Sequence, residues 1–342
     1  MRSAPPRRPG LDVLDAAAVA RLLRPLEAVE ALEAALRAGL DPATSSPRSS
    51  VAMPAGELLL MPAHSGEVAG VKVVGVAPGN ARLGLPRIQG VYLLLDAATL
   101  TPQAVLDGAA LTTLRTPAVS VAAVRQLIAD RSRPLRVVVF GAGPQAVGHL
   151  RTLADVFLAS PPGPAPVGLP APAPAPVLEA TVVVRDPARA ALPLLDAVNV
   201  GVLGAQETAA VVDVLQHADV VVCATTAREP LFPADVLREE AVVVAVGAHE
   251  RDAQEVETDL AGRATVVVED RATALREAGV VRAGVAAGLL APEDVVPLRD
   301  LVTGAMPPAK RRPLLFVSVG MAWEDLVIAE RVHKAYREAT HL

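Results

Sequence analysis

Short runs of β-branched residues alternate with segments of helical spacing along much of the chain. The Val-rich runs lie at 135–140, 181–185, 219–224, 242–246 and 265–269. A short continuous apolar run is typical of a strand that is buried on both faces of a parallel sheet. The regular alternation of such strands with helices predicts an α/β fold with a doubly wound sheet.

The N-terminal part of the chain has a different pattern. Residues 11–40 are predicted to form a short strand and then a helix, with Asp15 as the helix N-cap. Apolar stretches separated by Gly, Pro, Asn and Asp predict successive strands over 49–100, and a helix is predicted over 104–129. The length of 342 residues is enough for two domains.

One segment fits neither pattern. Residues 159–177, ASPPGPAPVGLPAPAPAPV, contain eight prolines. Proline lacks an N–H donor and fixes φ, so this segment cannot continue a helix or join a sheet. We expect a surface insertion loop, partly polyproline II or disordered, and the alternative is a docking site for a proline-binding partner.

The composition narrows the class of protein. The chain is 52% hydrophobic but only 2% aromatic, so Val, Leu and Ala must form the core. A net charge of -5 without a basic block argues against a nucleic-acid partner. The single Cys223 excludes an internal disulfide. Because neither a secretory signal nor an apolar run of ~18 residues is recognisable, we expect a cytoplasmic protein with no membrane partner.

A glycine loop after the first Val-rich run indicates dinucleotide binding. GAGPQA matches G-x-G-x-x-A, in which Gly141 permits the tight turn and Gly143 lets the backbone approach a pyrophosphate. Ala146 keeps the following helix close to the sheet, and Pro144 suits the first helical turn because its missing N–H would be unpaired there. The N–H groups of this helix would point at the phosphates.

The residue that contacts the adenosine ribose is expected at the end of the next strand. Arg185 and Asp186 lie there, about 45 residues after Gly141, and removing the Pro-rich insertion shortens this gap to about 26. Arg185 would pair with the 2′-phosphate of NADP, whereas Asp186 would accept hydrogen bonds from the ribose of NAD. The sequence slightly favours NADP and leaves NAD open.

Several cations stand within the apolar strands and turns of the N-terminal half. They are Arg48, Lys72, Arg82, Arg87 and Arg115. A charged residue within a Val- and Leu-rich segment costs free energy to bury, unless it is paired or functional. Converging cations would bind a substrate carboxylate, and the alternative for each is an extended side chain with its charge at the surface.

The order of these motifs resembles the ornithine cyclodeaminase/μ-crystallin family, from about residue 45 to the C-terminus. The matching segments are PRSSVAMPA, GVKVVGVAPGN, GLPRIQGVYLLLDAATLTP, LTTLRTPAVS, VVVFGAGPQA, ADVVVCATT, VAVGAH and FVSVGMAWEDLVIA. The resemblance implies a homodimer that uses NAD or NADP on a small amino or imino acid. It also implies a Rossmann-type domain over 119–315, with the insertion loop at 159–177, inserted in a smaller α+β substrate-binding and dimerisation domain over 1–118 and 316–342.

The resemblance also assigns site residues. Arg48 and Arg115 would hold the substrate carboxylate, Lys72 would contact the carboxylate or the reacting C–N group, and Arg87 would add positive charge nearby. The remaining dinucleotide contacts implied by the resemblance are Arg115, Thr116, Pro144, Gln145, Arg185, Asp186, Thr225 and Ser318. No His, Cys or carboxylate has zinc-ligand spacing, so no metal is expected.

The chain departs from the cyclodeaminases at one informative position. Where they have an aspartate after the fifth Rossmann strand, this chain has His249, in VAVGAHERDAQEVE. An imidazole donates or accepts a proton near neutral pH but supplies no fixed negative charge. His249 therefore favours proton delivery to an imine nitrogen, although a small backbone shift would let Glu250 or Asp252 replace the missing aspartate.

These features predict an NAD(P)H-dependent oxidoreductase that acts on a C–N bond, as an imine or ketimine reductase or an amino-acid dehydrogenase. Lys72 and His249 are the predicted catalytic residues. The first alternative is an ornithine or lysine cyclodeaminase that recycles NAD. The second is an NADP-dependent small-molecule binding protein, since the resemblance includes μ-crystallin, which binds a hormone-type ligand.

Overall fold

A computed structural model describes residues 10–128, 133–159, 178–193, 195, 198–248, 250–305 and 313–340. Two predictions fall outside these residues. They concern most of the Pro-rich insertion, 160–177, and the candidate proton donor His249.

The described residues form strands and helices in the following order. The strands are β1 (Asp12–Leu14), β2 (Ser49–Met53), β3 (Gly56–Ser65), β4 (Val68–Val76), β5 (Ile88–Asp96), β6 (Pro102–Asp107), β7 (Leu135–Phe140), β8 (Leu178–Val184), β9 (Val198–Gly204), β10 (Val220–Cys223), β11 (Val242–Ala245), β12 (Thr265–Val268), β13 (Val296–Pro297) and β14 (Leu314–Val317). The helices are α1 (Ala16–Leu22), α2 (Pro25–Arg37), α3 (Gly108–Val124), α4 (Pro144–Ala159), α5 (Thr208–His217), α6 (Thr258–Arg263), α7 (Arg271–Glu277), α8 (Gly279–Ala286), α9 (Leu298–Thr303) and α10 (Ala322–Thr340).

The chain divides into two compact units. The first comprises Met1–Arg24, Thr44–Arg115 and Met321–Leu342, and the second comprises Pro25–Ala43 and Thr116–Gly320. These bounds differ from the predicted 1–118, 119–315 and 316–342 in two main places. Helix α2 belongs to the second unit because it packs against α4 and α9. Residues up to Gly320 belong there because β14 pairs with β11 and β12.

The first unit contains a six-stranded sheet in the order β1-β6-β5-β4-β3-β2. Strands β2 to β6 pair in antiparallel fashion, and β1 runs parallel to β6. The prediction of a helix over 104–129 is wrong at its start, because Pro102–Asp107 forms β6 with alternating burial. Helix α3 begins only at Gly108, where the carboxylate of Asp107 accepts the N–H of Ala110 at 2.8 Å.

The two faces of this sheet differ. Helix α10 packs on β3, β4 and β5, and α1 packs on β6. Side chains of strands alternate between faces, so Lys72 and its cross-strand neighbour Tyr92 both lie on the face that α10 covers. On the opposite face, Val91 on β5 is 46% exposed and Val13 on β1 is 75% exposed.

The second unit contains an eight-stranded parallel sheet in the order β13-β12-β14-β11-β10-β7-β8-β9. Every strand predicted from a Val-rich run is present, and the valines of β10 and β11 are buried. The order β9-β8-β7-β10-β11 reverses direction at β7, as in a doubly wound Rossmann sheet. The predicted fold class is therefore confirmed.

The N-terminal helical segment is interrupted once. Asp15 accepts the N–H of Ala18 at 2.8 Å, so the predicted N-cap is confirmed. The single predicted helix is two helices, because Pro25 disfavours helical backbone at Arg24 and starts α2. Within the described part of the chain, no helix is both long and apolar enough to cross a membrane.

Candidate functional site

A buried ion pair lies under the sheet of the first unit. Strand β4 brings Lys72 to the covered face, where the residue is only 2% exposed. Its Nζ atom donates to Oδ2 of Asp325 at 2.7 Å and to Oγ1 of Thr112 at 3.3 Å. Asp325 lies in the first turn of α10 and is fully buried. The sheet, α3 and α10 thus each contribute one side chain to this contact.

A second ion pair adjoins the first. Nη1 of Arg115, on α3, donates to Oε2 of Glu324 at 2.6 Å, and its Nε lies 3.6 Å from Oδ1 of Asp325. Glu324 also accepts the N–H of Met321 at 3.0 Å, which fixes the start of α10. Asp325 therefore contacts Lys72 and Arg115 at once.

Burial and the nearby carboxylates act in opposite directions on the pKa of Lys72. Burial lowers its pKa and the nearby Arg115 lowers it further, whereas Asp325 and Glu324 raise it, and the net effect is a lowered pKa. Tyr92 stands beside Lys72 in register, and burial, together with the charge of Asp325, raises the pKa of its phenol.

The other predicted substrate-binding cations lie in more open positions. Arg48 precedes β2 and is half-buried, and Arg87 precedes β5 and is exposed. Arg82 is exposed in the 3-10 helix Pro78–Leu83. Of the predicted substrate-binding residues, the structure thus brings Lys72 and Arg115 together around one carboxylate.

The glycine loop of the second unit has the geometry that a pyrophosphate requires. Gly141 has φ +104°, and a Cβ there would lie 2.6 Å from the carbonyl oxygen of Ala224. A Cβ on Gly143 would meet nothing within 4 Å. Helix α4 begins at Pro144, and its first carbonyl acceptor is Gly143, which takes the N–H of Val147 at 3.1 Å. The first turn therefore offers its N–H groups to an anion, and the loop fits a dinucleotide.

Glu255 joins two loops at the carboxyl edge of this sheet. The N–H and the hydroxyl of Thr225, after β10, donate to its Oε1 at 2.8 and 2.7 Å. The N–H of Gly247, after β11, donates to Oε2 at 2.6 Å. Burial raises the pKa of Glu255, and these hydrogen bonds offset that effect only in part.

Glu269 makes a similar connection at the neighbouring strands. It follows β12 and accepts the hydroxyl of Ser318 and the N–H groups of Val319 and Gly320, which follow β14. The candidate cofactor residues Thr225 and Ser318 are therefore each held by a buried glutamate.

A buried histidine links two further candidate cofactor residues. Nδ1 of His149 lies 2.8 Å from the carbonyl oxygen of Gln145, and Nε2 lies 3.0 Å from the hydroxyl of Ser120. That hydroxyl donates to the carbonyl of Thr116 at 2.8 Å. Burial lowers the pKa of His149 to about 4, so its imidazole is neutral at pH 7.

Arg185 and Asp186 follow β8, as predicted, and both are exposed. Oδ1 of Asp186 accepts the N–H of Ala188 at 3.1 Å, and Oδ2 lies 3.4 Å from Nε of Arg189. The carboxylate of Asp186 is thus engaged within its own turn.

The two acidic residues that were alternatives to His249 lie at the surface. Glu250 forms an ion pair with Arg228, and Oδ2 of Asp252 lies 3.1 Å from Nη2 of the same arginine. Both carboxylates are more than half exposed.

Sequence reasoning missed the residues that hold the site residues in place. They are Thr112, Glu255, Glu269, Glu324 and Asp325. One signal was available, because MAWEDLVIA places two adjacent acids inside an apolar stretch. Such acids are costly to bury without partners, so they imply cations nearby.

Comparisons with known proteins show what this chain is similar to. The model of the ornithine cyclodeaminase/mu-crystallin family matches residues 11–158 and 182–340. A Delta(1)-pyrroline-2-carboxylate reductase of Burkholderia multivorans is 34% identical over 281 residues, 82% of this chain and 81% of that protein. A Delta(1)-pyrroline-2-carboxylate/Delta(1)-piperideine-2-carboxylate reductase of Azospirillum brasilense is 33% identical over 283 residues, 82% of this chain and 81% of that protein.

A solved structure extends the likeness to the fold. The Thermococcus litoralis Delta(1)-pyrroline-2-carboxylate reductase, in complex with NADH and L-proline, superposes with a TM-score of 0.80 at 24% identity. The match covers 96% of this chain and 98% of that one. The predicted class is confirmed: the chain is an NAD(P)-dependent oxidoreductase acting on the C–N bond of a small amino or imino acid. It belongs to the ornithine cyclodeaminase/mu-crystallin family.

Proposed function

We propose that this chain reduces the C=N bond of a small cyclic ketimine carboxylate with a five- or six-membered ring. The names of the Burkholderia and Azospirillum relatives support this substrate class. The observation that carries the proposal is that Lys72 and Arg115 both contact one buried carboxylate, that of Asp325. Two cations that converge on a carboxylate in an apolar domain are suited to bind the carboxylate of a small substrate.

Each predicted residue has a role in this reaction. Arg48 and Arg115 hold the substrate carboxylate, and Arg87 adds positive charge beside it. Lys72 orients and polarises the C=N group, and His249 donates a proton to the nitrogen. Reduced NAD(P), when bound, supplies the hydride that the carbon receives. The C=N π bond breaks, one C–H and one N–H bond form, and the product is a saturated cyclic amino acid.

Two observations support reduction over cyclodeamination. The position at which a cyclodeaminase has an aspartate holds His249 in this chain. The neighbouring acids Glu250 and Asp252 form surface ion pairs with Arg228, which disfavours either of them as a replacement for that aspartate. A third nearby acid, Glu255, already accepts three hydrogen bonds.

We propose that the second unit binds the dinucleotide and prefers NADP(H). Asp186 is engaged by Ala188 and Arg189, which leaves Arg185 as the side chain suited to a 2′-phosphate. The other proposed contacts in this unit are Thr116, Gly141, Gly143, Pro144, Gln145, Ala146, Thr225 and Ser318.

We also propose that the first unit forms the homodimer through the sheet face opposite α10. Val13 is 75% exposed there, and Val51, Met53 and Val91 are each more than 40% exposed. An apolar sheet face of this kind is typical of a protein–protein interface. A cytoplasmic location stays a prediction.

The proposal is tested by the loss of reduced-nicotinamide absorbance. NADH and NADPH are offered separately with cyclic imine carboxylates, and with 2-oxo acids plus ammonia or methylamine. We expect turnover with the cyclic ketimines and a preference for NADPH. Ammonia and a cyclic amino acid formed from ornithine or lysine, with no net change in cofactor, would instead identify a cyclodeaminase. Cofactor binding without turnover of any substrate would support the binding-protein alternative.

A further inference from the structure

Two adjacent acids at the start of α10 are buried more deeply than helix formation requires. Acidic side chains in a first turn are favoured by the helix dipole, but by less than the cost of burying a charge. Glu324 and Asp325 have no exposed side-chain area. Glu324 pairs with Arg115, and Asp325 pairs with Lys72 and also lies 3.6 Å from Arg115. Met321 ties Glu324 to the helix start, so the position of both acids is fixed by the backbone.

Stability alone is a weak reason for this arrangement. Removing a charge from water costs several kcal/mol per ion, and buried ion pairs are often no more stable than apolar side chains of the same volume. Four such groups, Lys72, Arg115, Glu324 and Asp325, are buried together here. Because Lys72 and Arg115 are the cations proposed to bind substrate, a role in that binding explains the acids better than packing does.

The contacts of Lys72 leave a defined donor. An ammonium has three N–H groups. Two of the three N–H groups of Lys72 donate to Asp325 and Thr112. Among the described residues the third has no hydrogen-bond acceptor in contact, so the direction of this N–H is set by the other two.

We propose that Asp325 is the positioning residue that keeps Lys72 charged and aims its third N–H at the substrate, while Glu324 orients Arg115. This inference rests on the proposed function, because it assigns the acids to the cations of that same site. It predicts different consequences for the two acids, since a lysine can lose its proton within the working pH range and an arginine cannot.

The groups around Lys72 determine the sign of the expected change. Asp325, Glu324, Arg115 and Tyr92 are the titratable and charged groups that face it. Burial lowers the pKa of Lys72, Asp325 is the main group that raises it, and Glu324 raises it least. Loss of the Asp325 charge therefore lowers the pKa of Lys72 further, and the ammonium is lost at a lower pH.

The first test compares Asp325→Asn with Glu324→Gln in pH profiles of kcat/KM. We expect the alkaline limb of Asp325→Asn to move down by at least about one pH unit, which is a tenfold loss of activity above the new limb. Glu324→Gln should raise KM several-fold, change kcat less, and move the limb less than Asp325→Asn does. An equal loss at all pH values in Asp325→Asn would overturn the proposal. Melting temperatures and NADPH binding show that both variants are folded.

The second test needs no turnover. Lys72, Lys310 and Lys334 are the only lysines of the chain, so ε-¹³C-lysine gives three NMR signals, which Lys310→Arg and Lys334→Arg assign. We expect Lys72 to be charged at pH 7 and to titrate at a lower pH in Asp325→Asn than in the wild type. A neutral Lys72 at pH 7 in the wild type contradicts the proposal even if Asp325→Asn fails to fold. Because this titration is independent of substrate, its outcome is distinct from failure of the proposed reaction.

Discussion

The two units stabilise the buried carboxylates beside their candidate site residues in different ways. In the first unit Asp325 and Glu324 face Lys72 and Arg115, charge against charge. In the second unit Glu255 accepts backbone N–H groups and a hydroxyl, and Glu269 does the same. Within the described residues no cation lies in ion-pair contact with Glu255 or Glu269.

This difference matches what each unit is proposed to do. Glu255 ties the ends of β10 and β11 together, and Glu269 ties the end of β12 to that of β14. Ligands of doubly wound sheets bind at this carboxyl edge, so hydrogen bonds from neutral N–H and O–H donors to these glutamates make a rigid frame for a dinucleotide. Ion pairs around Lys72 instead set the protonation of a group that must meet a charged substrate.

The largest expected effect follows from breaking the charge pairing. Lys72→Met leaves Asp325 buried opposite an apolar side chain, and we expect a loss of about 3–5 kcal/mol in the free energy of unfolding. Turnover of the cyclic ketimine should fall below detection, since the substrate loses its orienting cation. Denaturant unfolding and NADPH oxidation measure the two effects.

Two further variants sharpen this prediction. Lys334→Met removes an exposed lysine of α10 and should change neither quantity measurably. The double variant Lys72→Met/Asp325→Leu removes both charges, so it should recover most of the stability but none of the activity. Recovery of activity in the double variant would refute the role of Lys72.

His149 is a buried base whose pKa is shifted mainly by burial, not by a neighbouring charge. Its pKa is about 4 in the folded chain and 6.5 in an unfolded one. Since the folded-state pKa is the lower one, the contribution of His149 to stability is complete above pH 6.5 and is lost as the pH falls towards 4. The gap corresponds to about 3 kcal/mol. We expect His149→Gln to lose this acid dependence between pH 6.5 and 4, and His217→Gln, at an exposed site, to retain it. Urea unfolding at several pH values is the measurement.

Features that depend on local sequence were predictable. The Val-rich runs gave strands β7, β8, β10, β11 and β12, because a buried parallel strand needs apolar residues on both faces. The glycine loop was predictable because its tight turn needs a positive φ at residue 141, which glycine adopts without steric cost. The role of Asp15 followed from helix capping alone.

Features that depend on distant parts of the chain were not. Lys72 meets Asp325 across 253 residues, and Arg115 meets Glu324 across 209. No periodicity of either segment encodes such a pairing. The place of helix α2 in the second unit was not predictable for the same reason, since its partners α4 and α9 lie far away in sequence.

The smallest expected effect concerns two buried carboxylates of the second unit, Asp219, which pairs with arginines, and Glu255, which accepts hydrogen bonds from neutral groups. Burial raises the pKa of Asp219, but the side chains of Arg133 and Arg238 and the backbone N–H of Arg136 outweigh it and lower the pKa overall. The pKa of Glu255 is raised. Asp219 therefore contributes stability above its unfolded pKa near 3.8, which is lost as the pH falls through the folded value. The contribution of Glu255 is complete below its unfolded pKa near 4.5 and is lost as the pH rises through the folded value.

Asp219→Asn and Glu255→Gln should accordingly show opposite pH trends in unfolding free energy. Each costs about 1–2 kcal/mol where the effect is complete. The cost of Asp219→Asn should shrink towards low pH, and that of Glu255→Gln towards neutral pH. Only Glu255→Gln should weaken NADPH binding, by several-fold, because it releases Thr225 and Gly247. Parallel pH trends in the two variants would show that the arginines around Asp219 do not distinguish it from Glu255.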